Sequence, residues 1–223
     1  NAGPMNLLEW QGKEIFRARG ITVPEGKVCS SAGEAAAKAA GLGGRVVIKA
    51  QVQAGGRGKA GGVALVEGAE AAKREAERIL KLTIKGLPVK AVLVERAVEI
   101  ARELYMGLVL DRGRKSVCLL FSAEGGMEIE ELARKKPGKL RRVWLPRQGG
   151  FLGNVFRQAV YGAGLSPEVS RQAVGLGLKL ASLYDELDCT LAEINPMVVT
   201  KSGEVLAADS KIVLDDNALD RHK

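Results

Sequence analysis

The chain has 223 residues, of which 46% are hydrophobic and 27% charged, with a formal net charge of +8 at pH 7; this is ordinary globular composition, enough for one large domain or two small lobes. Its only histidine is His222, so a Ser-His-Asp triad, a buried histidine base and a histidine-rich zinc site are all excluded within this sequence. The longest apolar runs, such as residues 104–110, are strand length and far short of the ~20 residues that a membrane-spanning helix needs.

The basic balance suits either a polyanionic small molecule such as a nucleotide or a solvated basic surface. Nucleic acid fits poorly, because aromatic residues are only 4% of the chain and no arginine–aromatic stacking motif occurs. Cys29, Cys118 and Cys189 lack metal-ligand spacing and fit a reducing cytoplasmic or organelle-matrix setting, with Cys118 a small core residue. No basic region precedes an apolar stretch at the start, so no signal peptide is expected, and Asn1 to Pro4 ahead of Met5 reads as a cloning remnant.

In chain order, Leu8, Gly12, Ile15 and Phe16 fall at helical spacing and Gly20 follows as a C-cap. Ser31 and Glu34 form a capping pair that opens an alanine-rich helix ending near residues 41–44. Residues 45–51 form a β-branched strand, residues 54–62 a glycine-rich loop, and residues 63–67 a second strand. Residues 70–80 read as a charged surface helix and residues 91–95 as a short buried strand. Strands 103–111 and 115–122 are joined at Arg112, Gly113 and Arg114 as a hairpin. The stretch 137–154, rich in Gly, Pro and Arg, reads as the least structured. Ser166 and Pro167 open a helix expected to run to about Tyr184. Two last strands, 190–200 and 204–211, close the pattern. Strands in hairpins with helices between them indicate α+β.

The glycine-rich loop holds Gly55, Gly56, Gly58, Gly61 and Gly62 with Arg57 and Lys59. Glycines let several backbone N–H groups approach one anion, so the loop suits either a cover over nucleotide phosphates or a flexible surface hairpin. It is not a P-loop, since Gln53 stands at the first glycine position and Ala60 where Ser or Thr would meet magnesium. Lys49, inside the apolar strand before it, must direct its ammonium to a ligand or a carboxylate, or snorkel to water.

Glu193 and Asn195 lie two apart on a strand and face one way. If Thr200 pairs with Glu204 across a three-residue loop through Gly203, Asn195 comes opposite Asp209 and Glu193 opposite Lys211. Asn and Asp oxygens side by side suit magnesium completed by substrate phosphates; a polar solvent-facing strand pair is the plainer reading, but the flanking residues are nearly all apolar. Glu95 at the end of its strand could hold a ribose hydroxyl, yet from spacing alone Glu95, Glu99 and Glu103 read as solvated acids.

In their order, residues 5–11, the run from Gln51 to Gly62, Glu124 with Gly125 and Gly126, and Ala192 through Met197 resemble the β subunits of succinyl-CoA synthetase, the ADP-forming acid–CoA ligases. The resemblance runs from Met5 to His222 and implies an ATP-grasp fold, two α+β lobes enclosing a nucleotide. The smaller lobe is expected at about 24–98, the larger at 5–23 plus 99–223. By motif matching it implies Lys49 as phosphate-binding lysine and Gly56, Arg57 and Gly58 as phosphate cover. Glu95, Val98 and Glu103 take the hinge and ribose side, Asn195 and Asp209 become magnesium ligands, and Glu193 the acid that meets a phosphohistidine on a partner α subunit. ATP or ADP and Mg2+ are the implied cofactors, with the α subunit also carrying the CoA site. Gln53 and Ser210 depart from the residues usual at their positions. Apolar Pro24 resembles the ADP-forming branch, so ATP is expected over GTP. The sequence stops just after Asp216 to Leu219, where the resemblance places a linker to a second, CoA-ligase domain, and this part alone is expected to make no acyl-CoA. A related malate- or citrate-CoA ligase, or a nucleotide-binding module without turnover, would share this half.

Overall fold

The computed structural model describes residues 5–145 and 153–221. Residues 1–4, the 146–152 part of the stretch expected to be least structured, and His222 lie outside the described residues. The chain divides into two compact units, a smaller one of Leu8–Trp10 with Pro24–Val98 and a larger one of Asn1–Leu7, Gln11–Val23 and Glu99–Lys223.

Helix α1 (Glu9–Ala18) begins in the smaller unit and continues in the larger. It stops where the sequence says: Gly20 takes φ +69° and the Ile21 N–H returns to the Phe16 carbonyl at 2.9 Å.

The smaller unit contains β1 (Gly26–Cys29), α2 (Ala32–Leu42), β2 (Arg45–Ala50), β3 (Val63–Glu67), α3 (Ala69–Leu80), β4 (Thr83–Ile84), β5 (Leu87–Pro88) and β6 (Val92–Arg96). Its four-stranded sheet runs β1-β6-β2-β3, every pairing antiparallel. Ser31 caps α2 by accepting the Glu34 N–H at 3.2 Å, while the Glu34 carboxylate reaches back to the N–H of Ser30 at 2.7 Å. Ala35, Ala39, Ala72 and Ala76 share one core with Val46, Ile48, Val92 and Val94. Strand alternation then sends Lys49 and Glu95 to the other face. The β4–β5 hairpin turns through Lys85 and Gly86 at φ 50° and 80°, a two-residue turn whose X-Gly pair was the only local sign of it.

The larger unit contains β7 (Ile100–Asp111), β8 (Ser116–Ser122), α4 (Ile129–Lys135), β9 (Arg141–Trp144), α5 (Gly153–Tyr161), α6 (Pro167–Glu186), β10 (Cys189–Thr200), β11 (Val205–Ala207) and β12 (Lys211–Leu214). Its sheet runs β11-β10-β7-β8-β9, with β12 also on β10. Leu104, Met106, Leu108, Leu119, Phe121 and Ile194 join Phe156 of α5 and Leu180 of α6 in the main core; each such side chain contributes roughly 1.5–3 kcal/mol of burial. Tyr105 falls on the opposite face in a small second cluster with Leu132 and Leu140.

Two expectations change. The stretch 137–154 is not unstructured where described: β9 pairs with β8, with Trp144 opposite Cys118, and Trp144 donates its indole N–H to Asp111 at 2.9 Å while the Arg114 guanidinium lies over its ring. A short edge strand rich in arginine has no alternation to betray it. The single strand expected at 204–211 is two, broken at Ala208, Asp209 and Ser210. The register survives the break, with Met197 opposite Ala207 on one side and Glu193 opposite Lys211 on the other. Strand β10 is itself irregular there, at the cis bond between Asn195 and Pro196, and proline offers no N–H to a ladder.

Candidate functional site

In the smaller unit, the glycine-rich segment connects two antiparallel strands as expected, with Lys49 paired to Val63. Gly56 and Gly61 take φ 77° and 72°, and the loop closes on itself through Gly62 N–H to the Arg57 carbonyl at 2.8 Å. Gly62 must be glycine: a Cβ there would stand 2.8 Å from Ile84 and 3.1 Å from the Arg57 carbonyl oxygen.

Lys49 does not snorkel. Its ammonium lies 2.9 Å from Glu9 and 2.9 Å from Glu95. Glu95 is diagonal to Lys49 across β2 and β6, since Val47 pairs with Glu95 and Lys49 with Leu93. Glu95 is only 2% exposed, which overturns its reading as a solvated acid; Glu99 is exposed, with Lys201 3.5 Å away. Arg57 turns back beneath the loop and donates to both Glu9 and the Ala50 carbonyl. Glu9, 4% exposed, therefore joins the two cations that the sequence assigned to phosphate. Gln51 supports the arrangement by accepting the Trp10 N–H at 3.1 Å, one of the orphan donors of the first helical turn. Gly58 lies in the loop's turn, and Val98 is half-buried just after β6.

In the larger unit, three distant stretches meet. The Asn195 amide accepts the Gly126 N–H at 3.0 Å and donates to the Met127 carbonyl at 2.8 Å. Gly125 donates its N–H to the Glu103 carbonyl at 2.9 Å, and a Cβ on Gly126 would overlap a Glu103 carboxylate oxygen. A Cβ on Gly125 would overlap the Leu104 backbone, and Gly126 takes φ 76°, so both positions call for glycine. Asp209 sits in the break between β11 and β12, where it accepts the Ser210 N–H at 2.7 Å. No group of three or more His, Cys, Asp and Glu residues suited to a metal occurs among the described residues. Asn195 and Asp209 do offer two hard oxygen donors of the kind magnesium takes when phosphate and water complete its shell. An amide oxygen accepts two partners, so the bond from Gly126 leaves Asn195 able to meet a cation.

Glu193 is 9% exposed and accepts a hydrogen bond from the Tyr105 hydroxyl at 3.0 Å. Burial raises its carboxyl above the usual carboxylate value, opposed by the Lys211 charge and the Tyr105 bond, with Asp209 and Glu128 adding to the rise. Burial, and then the Glu193 charge, push the Tyr105 phenol well above its ordinary value.

Sequence reasoning missed Glu9, Tyr105 and Lys13. Lys13, 2% exposed, donates to the Ala208 carbonyl at 2.8 Å, beside Asp209, and a Cβ on neighbouring Gly12 would overlap the Ser210 hydroxyl. Glu9, Gly12 and Lys13 share one short stretch at the start of α1. That stretch, part of the motif at residues 5–11 and just past it, was the available signal.

The ATP-grasp domain profile matches residues 6–199. The chain is 50% identical to the β subunit of a GDP-forming succinate–CoA ligase of Thermus thermophilus, over 98% of this chain and 57% of that one. It is 46% identical to the ADP-forming β subunit of Chloroherpeton thalassium and 42% to that of Bacillus subtilis, each over 98% of this chain and 59% of the relative. The chain thus spans under three-fifths of the length of these curated relatives. Among solved structures, a Ca. Korarchaeum cryptofilum acetyl-coenzyme A synthetase with bound coenzyme A and a nucleotide analogue superposes with TM-score 0.78 at 19% identity, over 96% of this chain and 95% of that one. An ATP citrate lyase of Methanothrix soehngenii gives 0.72 at 19%, over 97% of this chain and 52% of that one. At such identities the likeness is one of fold.

Proposed function

The chain belongs to the ATP-grasp family, and from that premise we propose that it is the nucleotide-binding part of an acid–CoA ligase β subunit, of the succinate-using kind. Its task is to bind a magnesium nucleotide and present the terminal phosphate to a histidine on a partner α subunit. The observation that carries the proposal is the pair of half-buried cations, Lys49 and Arg57, gathered on Glu9 at the glycine-rich hairpin. Glu9 holds both cations, with Glu95 also on Lys49; this fixes two positive charges beside loop amides suited to an anion, and a nucleotide phosphate is the anion this family handles.

In this reading the smaller unit contributes Lys49, Arg57 and the Gly56 and Gly58 amides to the phosphates, and Glu95 and Val98 to the nucleoside. The larger unit contributes Glu103 to the ribose and Asn195 with Asp209 to magnesium, which when bound neutralises phosphate charge. Phosphoryl transfer then depends on positioning and charge. A neutral imidazole nitrogen attacks the terminal phosphorus, the bond to the departing nucleoside diphosphate breaks, and the ring becomes a phosphoimidazolium. Glu193 accepts the hydrogen bond of the far ring N–H and favours that cation. Later attack by a carboxylate and by the CoA thiol falls to the partner and to parts of the ligase beyond this chain. No described helix is long and apolar enough to cross a membrane; a cytoplasmic or matrix setting follows from the proposed chemistry.

The test is isotope exchange between ATP and ADP, with and without a purified succinate–CoA ligase α subunit. Exchange that requires the α subunit, together with acid-labile label on it, supports the proposal; label on this chain that survives His222→Ala overturns the division of labour. The base is a separate question, because the relatives include GDP- and ADP-forming enzymes. Pro24 favours ATP, and a competition titration in which GTP binds tighter reverses that choice.

A further inference from the structure

The geometry points to Tyr105 as a positioning residue that aims the Glu193 carboxylate, with Gly107 kept as glycine to make room for it. This rests on the role proposed above for Glu193. Gly107, Glu193 and Lys211 form one row across three strands, because Gly107 of β7 is the register partner of Glu193 of β10, which in turn is partner to Lys211 of β12. Tyr105 stands two residues before Gly107 on β7 and so shares that face.

A side chain at 107 would fill the space beside Glu193. A Cβ there would stand 2.7 Å from the Tyr105 hydroxyl oxygen and 3.3 Å from the ring carbon bearing it. With only hydrogen at 107, the phenol lies along the strand and its hydroxyl reaches Glu193 at 3.0 Å. The ring itself cannot swing away. It is 1% exposed and packed with Leu132 and Leu140, with Leu120, Met127 and Ile129 around them.

A glutamate has three rotatable side-chain bonds, and a buried one that must meet an incoming ring needs its carboxylate plane set in advance. A lysine or arginine would set it but also neutralise it, as Lys49 and Arg57 do to Glu9. A phenol sets the plane and leaves the charge in place to accept the imidazole N–H. Tyr105 touches neither nucleotide nor histidine in this role and acts only through Glu193.

The experiment mixes this chain with a succinate–CoA ligase α subunit and labelled Mg-ATP, and follows acid-labile phosphate on the α subunit in single turnover. Tyr105→Phe keeps the aromatic packing, and circular dichroism checks its fold. The expected result is a transfer rate about tenfold slower with nucleotide Kd unchanged, since a misplacement of about 1 Å can cost on the order of 10²-fold and a lost orienting bond shifts the carboxylate by less. Gly107→Ala should slow transfer similarly without adding to Tyr105→Phe, and Tyr105→Phe should change nothing further in a Glu193→Gln background. A wild-type rate for Tyr105→Phe beside a strong defect for Glu193→Gln overturns the positioning role and leaves the Glu193 role standing. An equal further loss in the Glu193→Gln background also overturns it, since Tyr105 would then act independently of Glu193. Normal transfer by Glu193→Gln, or none by the wild-type pair, removes the underlying reading and this inference with it.

Discussion

In the smaller unit the buried carboxylates of Glu9 and Glu95 are met by cations, Lys49 and Arg57; in the larger unit the buried carboxylate of Glu193 is met by a neutral phenol. The first cluster balances its own charge. Its members hold one another, and in the proposed function an incoming phosphate must compete with Glu9 for Lys49 and Arg57. The second keeps its charge at the expense of burial, which is why the Glu193 carboxyl is raised rather than lowered. A self-neutralised set behaves as a structural joint until a ligand enters it, whereas a buried acid whose hydrogen-bond partner is a neutral phenol, and whose desolvation outweighs the Lys211 charge, is the usual mark of a group kept for chemistry.

The largest expected effect breaks the first cluster. Glu9→Ala should cost about 3–5 kcal/mol, the weight of a buried ion pair that loses one partner, read as a lower urea midpoint. Glu193→Gln should cost under ~1 kcal/mol or stabilise, because the desolvated charge disappears while an amide oxygen can still accept from Tyr105. Similar losses from both substitutions would abolish the distinction between the clusters.

Next comes the metal. Asp209→Ala should weaken nucleotide binding about tenfold or more in magnesium, ~1.4 kcal/mol or above, and change it little in EDTA. Equal calorimetric affinities of mutant and wild type in magnesium would remove Asp209 from the site.

The smallest effects sharpen the comparison by separating the units. Ser31→Ala and Ser166→Ala each delete a helix cap, at 3.2 Å and 3.3 Å in the smaller and larger unit respectively, and each should cost ~1 kcal/mol. Burial raises the Cys29 thiol above its ordinary value and pushes Cys189 up to about 12, so burial slows the alkylation of both in the folded chain. If the units open separately, Ser31→Ala should speed alkylation of Cys29 alone and Ser166→Ala that of Cys118 and Cys189 but not of Cys29. Equal acceleration of all these cysteines by either substitution would show one cooperative unit.

Signals acting within a few residues were legible in the sequence. The Ser31 and Ser166 caps, the left-handed Gly20 and Gly203, the glycine-rich hairpin and the Glu193–Lys211 register all follow from local sterics, capping and two-residue alternation. The family, too, was legible, because its motifs keep their order along the chain. Partners far apart in sequence were not. Arg57 meets Glu9 across 48 positions, Asn195 meets Gly126 across 69, Tyr105 meets Glu193 across 88 and Lys13 meets Ala208 across 195. A glutamate in a first helical turn looks the same in sequence whether it faces water or two cations, and Glu95 reads as solvated until Lys49 is placed on the same face. Which acids are buried, and what neutralises or merely orients them, depends on the desolvation and the donors that other elements bring. Only the tertiary structure decides that.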